Sequence, residues 1–179
     1  INMVGFAISD NEVCEEASKQ EIIRRYFRAL ENERRNNLDA VESEKILILM
    51  NTLNITPNNR LAYKYAVEKQ EQKGVPCSAI ELSDGTIITG KTSELFESQS
   101  AVIINALKYL ANIPDEEKLL SPETIVPITQ LKIKYLSSQT PRLHIDETLI
   151  ALSSSCATND YARRALKELP KLKNAEFHS

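Results

Sequence analysis

Gly85-Thr86-Ile87-Ile88-Thr89-Gly90-Lys91-Thr92 fits the phosphate-loop pattern G-x-x-x-x-G-K-[ST] letter for letter. Such a loop wraps an anion with successive backbone N–H groups, and its Lys and hydroxyl residues open a helix directly. Here the intervening residues are Thr-Ile-Ile-Thr, which favour an extended strand. The first glycine is already committed, because Ser83-Asp84-Gly85 is a hairpin turn signal. No helix signal follows until about Ser98, and no later apolar run ends in an acidic residue to hold magnesium. The stretch therefore predicts a β-hairpin, with Ser78–Leu82 pairing Thr86–Gly90. A milder anion-binding role survives, because Gly90-Lys91-Thr92-Ser93 follows a strand and can offer N–H and ammonium groups.

Outward from the hairpin, the pattern is helical on both sides. Upstream, Ser9 and Glu12 have capping-box spacing and predict a helix from near Asp10. Val13, Ala17, Ile23, Phe27 and Leu30 fall on one face of it, and Asn36-Asn37 ends it. A second helix is predicted over about 39–51. A third starts at Thr56-Pro57 and stops at Gly74. Downstream, residues 98–112 are apolar nearly all round, as a helix buried on several sides would be. Another helix opens at Ser121-Pro122 and carries Pro127 in its first two turns. Residues 148–154 are read as a buried strand, with a helix as the alternative. Asn159 or Asp160 caps a last helix, and 175–179 begins a further strand. The fold expectation is α+β, with a helical subdomain at 1–74 and an α/β subdomain at 75–179.

The chain has 179 residues, 42% hydrophobic and 26% charged, with a formal charge of −3. That balance gives no basic footprint for nucleic acid. No run of about 18 apolar residues is present, so no membrane span is expected. No basic segment followed by an apolar one opens the chain, so no secretory leader is expected. The chain opens on Ile1 rather than Met, as a piece of a longer protein would. Cys14, Cys77 and Cys156 are odd in number and widely spaced, which suits a reducing cytoplasm better than a disulfide framework.

Two polar clusters stand out. One is Lys91-Thr92-Ser93; the other is Arg142, His144 and Asp146 in Pro141-Arg142-Leu143-His144-Ile145-Asp146-Glu147. The second could bind an anion and move a proton. Its plainer reading is a helix start, with Asp146 and Glu147 favoured by the helix dipole. Arg24, Arg25, Arg28, Arg34 and Arg35 read as a solvent face, because Glu21–Arg25 and Glu31–Arg35 are four apart. The hairpin followed by a buried helix is similar to the cytidine-deaminase topology. Deaminases need H-x-E or C-x-E at that helix start, and here it reads Gln99-Ser100-Ala101-Val102. No zinc and no other cofactor is expected; Cys156, His144 and His178 are the scattered set to check.

Longer strings carry a family resemblance. Asn2-Met3-Val4-Gly5-Phe6, residues 15–26, Thr89-Gly90-Lys91-Thr92-Ser93-Glu94-Leu95, Asn105-Ala106-Leu107-Lys108-Tyr109-Leu110 and Pro141-Arg142-Leu143-His144 resemble the bacterial uncharacterised protein family 0371. The resemblance implies a protein two to three times longer, of which this chain is the later part. It implies that the N-terminal region and final strands lie outside the chain, and that the former carries its own Gly-Ser-Lys loop. It also implies the deaminase-like topology and supplies no catalytic residues. Cys156 and Asn174 depart from the family's expected small residue and glycine.

Two functions of different class follow, and whether the protein is an enzyme stays open. One is a contribution to a nucleotide- or phosphometabolite-binding site in a cytosolic bacterial protein, through Lys91, Thr92, Ser93, Arg142, His144 and Asp146. The alternative is a non-catalytic packing or oligomerisation module that supports the rest of its own longer chain. Convergence of the two clusters favours the first; opposite faces would favour the second.

Overall fold

The computed structural model describes residues 10–179. They form seven α-helices and one three-stranded antiparallel sheet, in two compact units that divide between Arg60 and Leu61.

The first unit is a helical hairpin. Helix α1 spans Asn11–Asn36. Asp10 caps it, its carboxylate accepting the N–H groups of Glu12 at 3.1 Å and Val13 at 3.0 Å. Ser9, the cap expected from spacing, lies outside the described residues. Asn37 ends the helix in the left-handed region at φ 51°. Helix α2, Val41–Thr52, has no side-chain cap from its own Ala40. Instead the buried Glu33 of α1 accepts from the N–H groups of Glu42 (2.8 Å) and Ser43 (2.9 Å). Hydrogen bonds from Ser43, then Glu42, hold the Glu33 carboxyl below its ordinary value. Ile23, Met50 and Ile55 form the core. Val13 and Leu30, expected on the buried face, are 60% and 37% exposed; Ala29 and Glu33 are buried instead.

The third expected helix is split. Asn59 Oδ1 accepts from the Thr56 N–H at 2.7 Å and closes a 3-10 turn over Pro57–Asn59. Arg60 is extended, and helix α3 then spans Leu61–Lys73. It packs on the sheet of the second unit, so the division falls before α3 rather than after Gly74.

The sheet has the order β2-β1-β3, with β1 at Cys77–Glu81, β2 at Ile87–Lys91 and β3 at Glu176–His178. Strand β1 is antiparallel to both neighbours, with Cys77 opposite Lys91, Ile80 opposite Ile88, and Phe177 on the other side of Ile80. The hairpin loop is Ser83-Asp84-Gly85: Leu82 N–H donates to Thr86 O, Gly85 N–H donates to Leu82 O, and Gly85 takes φ +81°. This is a turn followed by a left-handed bulge residue.

Strand alternation then sorts the layers. Ile80, Ile88 and Phe177 pack against Val102 and Ala106 of helix α4, Ser98–Leu110. Ile87 and Thr89 turn the other way and line a cleft with Tyr65, Glu68, Lys69 and Gln72 of α3. His178 meets the Tyr63 ring edge-on at 4.9 Å. The sheet is thus covered by α3 on one face and α4 on the other. Gly90 is where α4 crosses β2: a Cβ there would lie 2.2 Å from the Val102 N and 2.6 Å from its Cα.

A second core layer lies beyond α4. Ile104, Leu107, Ile113, Leu143, Leu152 and Ala162 join α4 to α5 (Pro122–Tyr135), α6 (Ile145–Ser155) and α7 (Asp160–Lys167). Helix α5 continues through Pro127. Residues 148–154 lie within α6, so the strand reading is corrected. Thr148, Ala151, Leu152 and Ser155 are its buried side, a three-four-seven spacing that only a helix produces.

Candidate functional site

The candidate site is the place where the segment after β2 meets the segment that starts α6. Thr92 N–H donates to Pro76 O at 2.9 Å and fixes the end of the hairpin. Ser93 then closes a tight turn: its N–H donates to Phe96 O, and its Oγ accepts from the N–H groups of Leu95 and Phe96. Phe96 forms a parallel bridge with Leu143. Leu143 N–H donates to Leu95 O at 2.8 Å, and Leu143 O accepts from the Glu97 N–H and the Ser100 hydroxyl.

Arg142 crosses this seam. Its Nε donates to Ser93 O at 2.8 Å, over 49 residues of sequence. Its two terminal nitrogens make no hydrogen bond among the described residues. Beneath it Lys132, only 4% exposed, donates to Arg142 O and to Glu147 Oε2, the latter at 2.7 Å. Glu147 Oε2 also accepts the His144 N–H at 2.8 Å, reaching back from the third position of α6. Burial pushes the Glu147 carboxyl up, but the Lys132 ammonium and the His144 N–H outweigh it and hold it below the ordinary value.

Ser93 and Arg142 are therefore in direct contact, with His144 and Asp146 on the same turn of chain as Arg142. Asp146 sits exposed in the first turn of α6, and His144 is its exposed N-cap. Lys91 is exposed at the end of β2. Thr92 is half-buried, and its Oγ1 is enclosed with no hydrogen-bond partner. The predicted helix-start reading of 141–147 is what the backbone does. Lys132 and Glu147 are the pair that spacing did not single out. Nothing in the sequence around Lys132 separates it from the solvent-facing lysine at 134 two residues later.

A neighbouring cleft of about 430 Å³ shares Leu95 and Phe96 with this seam. Its floor includes Ile104 and Leu119, and its rim carries Lys108, Asp115 and Glu116. None of the six candidate residues lines it.

The other motifs resolve structurally. Residues 87–91 are a paired strand, and the next helix starts at Ser98, not at Lys91. The pattern at 85–92 is thus a hairpin, whose second glycine is set by helix packing. Among the described residues no three His, Cys, Asp or Glu side chains gather as a metal-ligand set. His144 and Cys156 stand at opposite ends of α6, about 18 Å apart at 1.5 Å per residue. His178 lies in β3. The arginine-rich stretch of α1 is ion-paired as its spacing predicted, Glu21–Arg25 at 2.8 Å and Glu31–Arg35 at 2.7 Å. No helix among the described residues is long and apolar enough to cross a membrane.

Comparison with known proteins then places the chain. It is a mixed α+β protein whose residues 58–179 match the domain of unknown function DUF1846, C-terminal. Residues 1–54 match the N-terminal domain of the same name, so the resemblance is not confined to a C-terminal domain. The chain belongs to the DUF1846 family. It is 50% identical to the UPF0371 protein of Corynebacterium urealyticum over all 179 residues, covering 100% of this chain and 36% of the relative. Identity is 52% to the UPF0371 protein of Corynebacterium aurimucosum and 47% to that of Streptococcus uberis, each over 100% of this chain and 36% of the relative. The chain thus spans little more than a third of the length of these curated relatives. Their names mark an uncharacterised bacterial family and assign no activity.

Proposed function

We propose that this chain supplies part of a binding site for a small phosphorylated metabolite or nucleotide in a cytosolic bacterial protein. The observation that carries the reading is the 2.8 Å contact between Arg142 Nε and Ser93 O. It joins the two clusters across the fold and holds the guanidinium by one nitrogen. The terminal nitrogens, which make no hydrogen bond among the described residues, are left to supply the paired N–H bonds that phosphate accepts. Lys91 is exposed two residues before Ser93, and His144 is exposed two residues after Arg142, so both stand near the ends of this seam in sequence. The apolar cleft beside Leu95 and Phe96 suits the organic body of such a ligand, while the acidic residues at 115–117 disfavour phosphate there. A cytosolic setting is supported by three free cysteines.

We read the second unit as similar in topology to the cytidine deaminases without their zinc ligands. What supports this is the order α3-β1-β2-α4, with β1 antiparallel to both neighbours. A second functional reading, a non-catalytic packing or oligomerisation module, is favoured by the use of Ser93, Lys132 and Glu147 on the chain's own groups.

Thermal denaturation of the full-length protein with inorganic phosphate, sugar phosphates and nucleotides separates the two. A bound ligand at 100 times its Kd stabilises by about 2.7 kcal/mol. The binding reading predicts such a shift for at least one phosphorylated compound, and its loss in Arg142→Lys. No shift with any of them would refute it and leave the packing reading.

A further inference from the structure

Among its described residues the first unit encloses few apolar side chains. Ile23, Met50 and Ile55 form its core cluster, with Ile22, Tyr26, Phe27 and Ile46 packed around them, and Ala29 is buried beside it. A two-helix hairpin with so small a core is not a domain in itself, because chains of this size bury too little surface to offset the entropy of folding. Meanwhile Leu38, Val41, Ile48, Leu49 and Leu53 stand exposed, Ile48 at 66%. Helix α2 is apolar at every position from Ile46 to Met50, yet it turns only Ile46 and Met50 inward. Between α1 and α2 runs an open groove of about 970 Å³. Ile22, Ala29, Ile46 and Leu49 line it, with Arg28, Lys45, Glu42 and the already ion-paired Glu21 among its polar residues.

Two independent boundaries coincide beside this hairpin. The structure divides between Arg60 and Leu61. The family match passes from the N-terminal domain, ending at residue 54, to the C-terminal domain, starting at 58. Helices α1 and α2 therefore belong with the N-terminal domain. The relatives have 64% of their length beyond the part this chain matches, 100% less the 36% covered.

We propose that the α1–α2 groove and the outer side of α2 are a core surface of the N-terminal domain, occupied in the longer protein by another segment of that domain. The occupant is an amphipathic helix or strand. Its apolar side meets Ile48 and Leu49, and its acidic side chains meet Arg28 and Lys45. This surface lies in the first unit and is independent of the anion site proposed in the second.

The test places a photoreactive benzoylphenylalanine at position 48 of the full-length protein, followed by peptide mapping of the adduct. The expected adduct is intramolecular, to a peptide outside residues 1–179. An adduct to a second copy, to any peptide within 1–179, or to solvent only would overturn the proposal. A second measurement uses smaller probes. Ile48→Cys in the full-length protein is expected to react with a thiol reagent at least about tenfold slower than Tyr135→Cys, an exposed control. Equal rates would contradict the proposal even if the larger probe perturbed folding.

Discussion

Gly90 and Gly85 carry opposite physical demands although both belong to the same eight-residue pattern. Gly85 needs its positive φ but has open space, with nothing within 4 Å of a built Cβ. Gly85→Ala should cost about 1–2 kcal/mol, the left-handed penalty, and Gly85→Asn much less. Gly90 has ordinary dihedrals but the backbone of Val102 in its way. Gly90→Ala should cost about 3 kcal/mol or more, because α4 must move off β2. Urea midpoints at constant slope check both; a near-neutral Gly90→Ala would contradict the packing account. Glu147 makes a third case. Glu147→Gln leaves the enclosed Lys132 ammonium facing neutral carbonyls with no countercharge and should cost roughly 3 kcal/mol. Lys132→Met combined with Glu147→Leu should recover part of that loss, measured as a double-mutant cycle. The Glu147 carboxyl titrates below 4.5 in the folded chain. Its stabilisation is therefore complete above that ordinary value and is lost as pH falls through the depressed one. Acid unfolding of Glu147→Gln should be less steep below pH 4.5 than that of the natural protein.

At the level of elements, local chemistry was most readable where it acts at short range. The cap at Asn159, the stop at Asn37, the Ser-Asp-Gly turn and the start at Pro122 all work within four residues, whereas the cap of α1 is Asp10 and spacing points to Ser9. Residues 148–154 of α6 read as strand or helix alike in sequence, because a short apolar run carries no period of its own. Its telling residues are Thr148 and Ser155, buried polar groups that hydropathy does not mark. The break between the 3-10 turn and α3 comes from Asn59 folding back on Thr56, a choice invisible in propensity. The seam between 93–97 and 142–147 could not be read either, since both its bridge and the Arg142 contact join residues over 40 apart. The helix ends also give a measurable case. Asn159 caps α7 through Ala162 N–H and donates to Lys118 O at 2.8 Å. Asn159→Ala should cost about 1–2 kcal/mol, and Asn159→Asp should keep the cap but lose the Lys118 bond. Chemical denaturation of the two variants checks the order; equal losses would contradict the separate roles.

For the molecule as a whole, the two units differ in completeness. The second has a sheet covered on both faces and a further layer of helices, enough core to stand as a domain. Among its described residues the first has several exposed large apolar side chains, Ile48 and Leu53 among them. In the second unit residues 87–91 are a strand paired with β1, and we propose that anions bind at the Ser93–Arg142 seam. Hydrogen exchange of the full-length protein, without and with a phosphorylated ligand found in the thermal screen, tests this most directly. The account predicts that the β2 amides bonded to β1 are protected in both states, and that ligand-dependent protection falls on residues 92–96 and 142–147. Amides of 86–91 that exchange freely without ligand and become protected only when nucleotide binds would contradict it and restore the phosphate loop.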